Sequence, residues 1–149
     1  MNTKEIWISS DHNETFHTEE LQQHLLLQRC GCVLLDGYSG CGKTQLLRSL
    51  KHLSHRPVHL FSYQDIVEVI VKTRVHCTPF LLELDVENCI ICIEDIDFLR
   101  GKDATQEYLS QMISLAAKQH LILITGNGVL EKLPKLCKLC NPTTFIATR

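Results

Sequence analysis

Val33-Leu34-Leu35-Asp36-Gly37-Tyr38-Ser39-Gly40-Cys41-Gly42-Lys43-Thr44-Gln45-Leu46-Leu47 joins an apolar run, a glycine-rich turn and the opening of a leucine-bearing helix. Gly37, Gly42, Lys43 and Thr44 fill the pattern G-x-x-x-x-G-K-[ST], in which each residue type has a physical task. Glycine tolerates positive φ and lets the backbone approach a phosphate closely. Successive loop N–H groups and the free N–H groups of the first helical turn then converge on one spot, where the helix dipole adds positive potential. Lys43 is placed to bridge the β- and γ-phosphates, and Thr44 to offer a hydroxyl to Mg²⁺, a cation that keeps several of its waters. The candidate cofactor-binding residues are therefore Gly37, Tyr38, Ser39, Gly40, Cys41, Gly42, Lys43, Thr44 and Gln45. Context supports the motif. Cys32 to Leu35 is apolar and strand-like, while Gln45 to Leu53 repeats Leu46, Leu47, Leu50 and Leu53 at helical spacing.

With 149 residues, 44% hydrophobic and 21% charged, the chain has the size and composition of one globular domain with its own core. Fifteen basic residues against seventeen acidic ones give a net charge of −2, so no global positive field advertises nucleic acid. Arg48, Lys51, His52, His55 and Arg56 gather at the end of the helix after the glycine-rich loop, where cations are the ordinary complement of the helix dipole. No sustained apolar stretch lies between Met1 and His17, and nowhere do about twenty apolar residues run together. Neither a signal peptide nor a membrane span is expected, and a cytoplasmic location follows.

Eight cysteines are many for such a chain. Cys89 and Cys92 lie in the apolar run Cys89-Ile90-Ile91-Cys92-Ile93 and read as small buried hydrophobes. Cys137 and Cys140 form a C-x-x-C that Cys30 and Cys32 could complete as a four-thiolate zinc site, but a single C-x-x-C and a C-x-C more than a hundred residues apart are a weak metal signal. Cys41 sits inside the glycine-rich loop, where positive potential favours a reactive thiolate; a filler role is the simpler expectation.

Strand and helix patterns alternate along the chain, which predicts an α/β layer architecture of the P-loop type with a parallel sheet of about five strands. Thr18 is a good N-cap for a first helix with Leu21, Leu25 and Leu26 on one face. Pro57 opens a strand from Val58 to Phe61. Ser62 and Asp65 then form a capping box before a helix bearing Ile66, Val67, Ile70 and Val71. The stretch from His76 to Glu87 is not assignable. Further strands run from Cys89 to Ile93, Leu121 to Thr125 and Thr143 to Ala147, with a helix from about Thr105 to His120 presenting Leu109, Met112, Ile113 and Ala116.

The strand ending at Ile93 is apolar on both faces, as in the middle of a covered parallel sheet, and runs into Glu94-Asp95-Ile96-Asp97. Carboxylates at the carboxyl end of such a strand lie where open α/β sheets place ligands. One can hold Mg²⁺ and the next can orient or deprotonate an attacking water. Glu94 and Asp95 are the catalytic candidates, with Glu94 and Thr44 at the metal, whereas Asp97 reads as a surface or capping residue. Asn127, between Gly126 and Gly128 just past Thr125, is placed either to reach the γ-phosphate or simply to make the turn.

Gly42-Lys43-Thr44-Gln45-Leu46-Leu47, Ile91-Cys92-Ile93-Glu94-Asp95-Ile96-Asp97-Phe98-Leu99-Arg100-Gly101-Lys102 and Thr105-Gln106-Glu107 together resemble, in order and spacing, the AAA+ core of the bacterial replication initiator DnaA and its DnaA-like relatives. The resemblance spans about Cys32 to Leu133. It implies a five-stranded AAA+ nucleotide-binding fold, ATP with Mg²⁺ as cofactors, and a role in or around replication initiation. It puts Lys43 and Thr44 on phosphate and metal, Glu94 at the metal-side acid, Asp95 at the catalytic acid and Asn127 near the first sensor position. The family's usual metal-side Asp is Glu94 here. The chain shows no helical lid with a second sensor arginine and no C-terminal DNA-binding helix-turn-helix. No arginine lies between Arg100 and Arg149, so the family's arginine finger has no evident counterpart. Loss of such a finger slows hydrolysis by about a thousandfold or more.

These observations favour an ATP-binding, nucleotide-dependent regulator that hydrolyses slowly at most. The alternatives are a helicase-loader-type ATPase completed by a partner subunit, and a non-catalytic scaffold, which has no need of Gly42, Lys43 and Thr44. Expected partners are ATP or ADP and another AAA+ or replication protein, not a membrane and not a specific DNA sequence. ATP is preferred to GTP because the guanine-specifying Asn-Lys-x-Asp is absent.

Overall fold

The computed structural model describes residues 5–8, 19–38, 40–76 and 87–147. Thr18, Ser39 and most of residues 76–87 lie outside them. The strands are β1 (Glu5–Ile8), β2 (Gly31–Gly37), β3 (Val58–Phe61), β4 (Ile90–Ile93), β5 (Leu121–Gly126) and β6 (Thr143–Ala147). The helices are α1 (Glu19–Leu27), α2 (Lys43–Leu53), α3 (Tyr63–His76), α4 (Asp103–Ala116) and two short ones, α5 (Val129–Lys132) and α6 (Pro134–Cys140). A 3-10 turn, Ile96–Leu99, follows β4.

All strand pairs are parallel, in the order β1-β6-β2-β5-β4-β3. The parallel sheet expected from the alternating pattern is present, with a sixth strand at its edge. β1 pairs with β6 from Glu5↔Thr144 to Ile8↔Ala147. Four residues carry too little periodicity to announce a strand; this one exists through its distant partner.

Side chains on the central strands alternate between two cores, as period two requires. Leu34, Ile91, Ile93, Ile122 and Ile124 face α3 and α4, meeting Ile66, Ile70, Leu109, Met112, Ile113 and Ala116. Val33, Leu35, Ile90, Cys92, Leu121 and Leu123 face α1 and α2, meeting Leu21, Leu25, Leu46, Leu47 and Leu50. The capping box before α3 forms reciprocally: the Ser62 N–H donates to Asp65 Oδ2 at 2.9 Å, and the Asp65 N–H to Ser62 Oγ at 3.3 Å. Val67 and Val71, expected with Ile66 and Ile70, are instead exposed.

Because every strand runs the same way, Gly37, Phe61, Ile93 and Gly126 all end on one edge of the sheet. The register brings Asp36 opposite Gly126 and Ile93 opposite Ile124. The segments that follow β2, β4 and β5 are thereby gathered into one place.

Candidate functional site

The turn between β2 and α2 is built on left-handed backbone at Gly40 (φ 88) and Gly42 (φ 93). A Cβ at Gly40 would meet nothing within 4 Å, so glycine is required there for its conformation and not for space. Gly42 is the N-cap of α2 and brings no side-chain acceptor, so the first-turn N–H groups have no side-chain cap from it. Lys43 folds over the turn. Its Nζ donates to the carbonyl oxygens of Gly37, of Tyr38 at 3.3 Å and of Gly126 at 3.1 Å. Thr44 and Gln45 are positioned at the start of α2, with Gln45 exposed. Cys41 is fully buried, and burial raises its thiol pKa against the pull of Lys43, so it fills space as expected.

Beyond β4 the chain turns at once. The Glu94 N–H donates to Phe61 O at 2.9 Å. Asp95 adopts φ 56 and ψ 47, a left-handed conformation that Asp tolerates better than most residues, and its N–H donates to the buried Thr125 Oγ1 at 3.2 Å. Glu94 is half-buried and Asp95 exposed. Burial raises the Glu94 pKa, the neighbouring Asp95 raises it further, and Arg48 opposes both. Arg48, one of the basic cluster expected chiefly to complement the dipole of its own helix, also acts on the acidic segment.

Asn127 is exposed, and its N–H donates to Asp97 Oδ1 at 3.4 Å. The other Asp97 oxygen lies 3.9 Å from Lys132 Nζ. Asp97, expected at the surface or in a cap, instead ties the acidic segment to the Asn127 turn. The packing there is close: a Cβ on Gly126 would lie 2.4 Å from Val129 Cγ2 and 3.0 Å from Asp97 Oδ1.

Sequence reasoning missed Asp36. Only 6% exposed, its carboxylate accepts N–H groups from Gly128 at 2.8 Å, Val129 at 3.1 Å and Leu130 at 3.2 Å. The available signal was an acid closing an apolar strand directly before the glycine-rich turn. Such an acid is buried only when donors await it.

Of the four candidate zinc thiols, three converge. The neighbouring Cys140 and burial raise the Cys32 pKa well above the ordinary thiol range, and Cys137 is pushed up to about 12, chiefly by burial. Cys30 is exposed. Among the described residues no group of three or more His, Cys, Asp or Glu is arranged to hold a metal ion. The three thiols pack with the core beneath α6. Cys89 and Cys92 are fully buried, and the Cys89 N–H donates to His120 Nδ1 at 3.1 Å.

The raised Glu94 pKa makes a prediction. The folded chain holds a proton on this group in a window just above the ordinary carboxylate range, so stability falls as pH rises through that window and is level above it. Glu94→Gln removes the dependence. Its stability relative to the native chain, followed by thermal melts, should climb across the window and then plateau, by less than about 1 kcal/mol for a group that keeps much of its contact with water. A difference that is flat with pH contradicts this.

Among the described residues no helix is long and apolar enough to cross a membrane. Residues 33–144 match the family described as "ATPase family associated with various cellular activities (AAA)". The chain is 27% identical over 110 residues to the chromosomal replication initiator protein DnaA of Desulfotalea psychrophila, a match covering 68% of this chain and 23% of that protein. In fold it is similar to domain III of the replication initiation protein DnaA from Thermotoga maritima (TM-score 0.65, 17% identity, covering 87% of this chain and 58% of that one). It is likewise similar to AMPPCP-bound DnaA from Aquifex aeolicus (TM-score 0.60, 19% identity, 85% and 44%). The match thus spans about a quarter of the curated relative's length and about half of each of these two solved chains.

Proposed function

Because the chain belongs to the AAA family of ATPases, we propose that it binds ATP with Mg²⁺ and acts as a nucleotide-dependent regulator or partner in replication initiation, with slow hydrolysis at most. The observation that carries this reading is the donor set. The N–H groups at the start of α2, which Gly42 does not cap, the Lys43 ammonium and the Thr44 hydroxyl share one sheet edge with Glu94, Asp95 and Asn127. Such a set fits a polyphosphate and a hard, oxygen-seeking cation. In this reading the phosphates lie against residues 37–45, and Thr44 and Glu94 hold Mg²⁺, Glu94 directly or through water. The metal supplies charge neutralisation at the β- and γ-phosphates. Asp95 orients the attacking water. Asn127 lies within reach of the γ-phosphate.

Slow hydrolysis is favoured because no arginine lies between Arg100 and Arg149 to meet transition-state charge. The replication role rests on the likeness to DnaA, and the AMPPCP bound by the Aquifex protein favours an adenine nucleotide. An ATPase of helicase-loader type, completed by a partner's arginine, is the second reading, supported by the paired acids at Glu94 and Asp95. Phosphate release at saturating Mg-ATP separates the two. A regulator completes about one turnover in many minutes or none, whereas sustained turnover by the chain alone contradicts the first reading.

A further inference from the structure

Among the described residues, side chains of β2, of α2 and of the turn after β4 hold residues 126–130 through five hydrogen bonds, three of which end on one side chain. Asp36 accepts from the N–H groups of Gly128, Val129 and Leu130. Asp97 accepts from that of Asn127, and Lys43 reaches the carbonyl of Gly126. The start of α5 has no cap of its own, since Gly128 stands at the N-cap in the left-handed region with no side chain to offer. Its acceptor is supplied from another strand. That strand is β2, and the residue after Asp36 is Gly37, the first of the phosphate-loop motif. A helix cap serving stability alone could be local, with Ser, Thr, Asn or Asp at position 128. Placing it on β2 instead fixes the Asn127 turn directly to the loop that would carry the phosphates.

The carboxylate is well suited to this. Buried charge is tolerated when several N–H groups point at it, and three bonds from consecutive residues fix a direction as well as a distance. With Gly126 closely packed against Val129 and Asp97, the Asn127 turn has little room to move independently of β2.

Resting on the nucleotide-binding reading above, we propose that Asp36 is a positioning residue: it holds Asn127 at a fixed place relative to the phosphate loop and so gives the site its preference for a nucleoside triphosphate over the diphosphate. Asp36 touches no nucleotide in this scheme. It acts through the turn whose side chain reaches the position of the third phosphate.

The test compares Mg-ATP and Mg-ADP affinities of the native chain, Asp36→Asn, Asn127→Ala and the double variant. Asp36→Asn keeps the size of the side chain but replaces one acceptor oxygen by a donor facing N–H groups. The expected result is an ATP-over-ADP preference reduced about fivefold or more, ADP affinity within about twofold of native, and no further loss of preference in the double variant, because both changes remove the same interaction. A merely structural role lowers both affinities together, and that outcome, or additive losses of preference, overturns the proposal. Should Asp36→Asn fail to fold, Asp36→Glu keeps the carboxylate but displaces it, and is judged by the same ratio. A native chain that binds neither nucleotide overturns the site reading and this role together; a native chain that binds both while the variants keep its ratio overturns only the role of Asp36.

Discussion

Lys43→Ala should weaken Mg-ATP binding by roughly 30- to 150-fold, the equivalent of about 2–3 kcal/mol for removing a charge-assisted hydrogen-bond donor from a partly enclosed site. Among the described residues the ammonium is the flexible cation that reaches over the turn between β2 and α2, with carbonyl oxygens of Gly37, Tyr38 and Gly126 around it. On phosphate binding it would exchange those neutral acceptors for charged oxygens. ADP should suffer less, having no γ-phosphate for the lysine to bridge. The three carbonyls lose a donor, but the site is open enough for water to replace it, so the melting temperature should fall by only a few degrees. Lys51→Ala, on the exposed side of the same helix, serves as the control and should bind as the native chain does. Equal affinities in Lys43→Ala and native chain, measured by calorimetry, contradict the role given to Lys43.

The largest effect on stability is expected from a residue far from that site. Arg56→Ala should cost about 2–4 kcal/mol, by the rule for several charge-assisted hydrogen bonds removed at once. For a chain of this size that is about 5–15 °C in melting temperature. The Arg56 guanidinium donates to the carbonyls of Arg29 at 2.9 Å and Leu25 at 3.2 Å, to that of Gln28, and to Asn88 Oδ1 at 2.7 Å. Asn88 in turn donates to Arg29 O at 2.8 Å and Gln119 O at 2.7 Å. One planar cation therefore satisfies the orphan carbonyls ending α1 and ties them to the segments entering β2, β4 and β5. Burial lowers the Arg56 pKa, but a guanidinium remains charged at any working pH. Arg56→Lys should recover little, because an ammonium cannot span acceptors set for a planar fork. Thermal melts of the three proteins decide the matter, and a loss below about 1 kcal/mol in Arg56→Ala contradicts it.

Arg56 also marks where sequence reasoning stops. In the sequence it belongs to a basic cluster that complements the end of α2, yet in the fold its bonds go to α1, a different helix. Local signals were legible wherever the cause was local. The bounds of β3 and β6 follow from Pro57, Pro142 and the apolar runs after them, and the Ser62–Asp65 box follows from spacing alone. The glycine-rich turn, the acidic end of β4 and the Asn127 turn could be placed together from the sequence because strand ends in a parallel sheet share an edge. What was not readable depends on register between distant segments. The strand at Glu5–Ile8 needs β6, and the burial of Asp36 needs three N–H groups about ninety residues away. Asp97 meets Asn127, and Cys32 meets Cys140, only once β4, β5 and α6 are in place.

Nucleotide binding at the β2–α2 turn is tested most directly by a ¹⁵N–¹H correlation spectrum of the native chain titrated with Mg-ATP. The largest shifts are expected on the amides of Gly40, Cys41, Gly42, Lys43 and Thr44, with smaller ones at Asp95, Asn127 and Gly128. Shifts centred elsewhere, such as the groove lined by Leu26, Leu27, Leu53 and Arg56, or a spectrum unchanged at millimolar nucleotide, would contradict it.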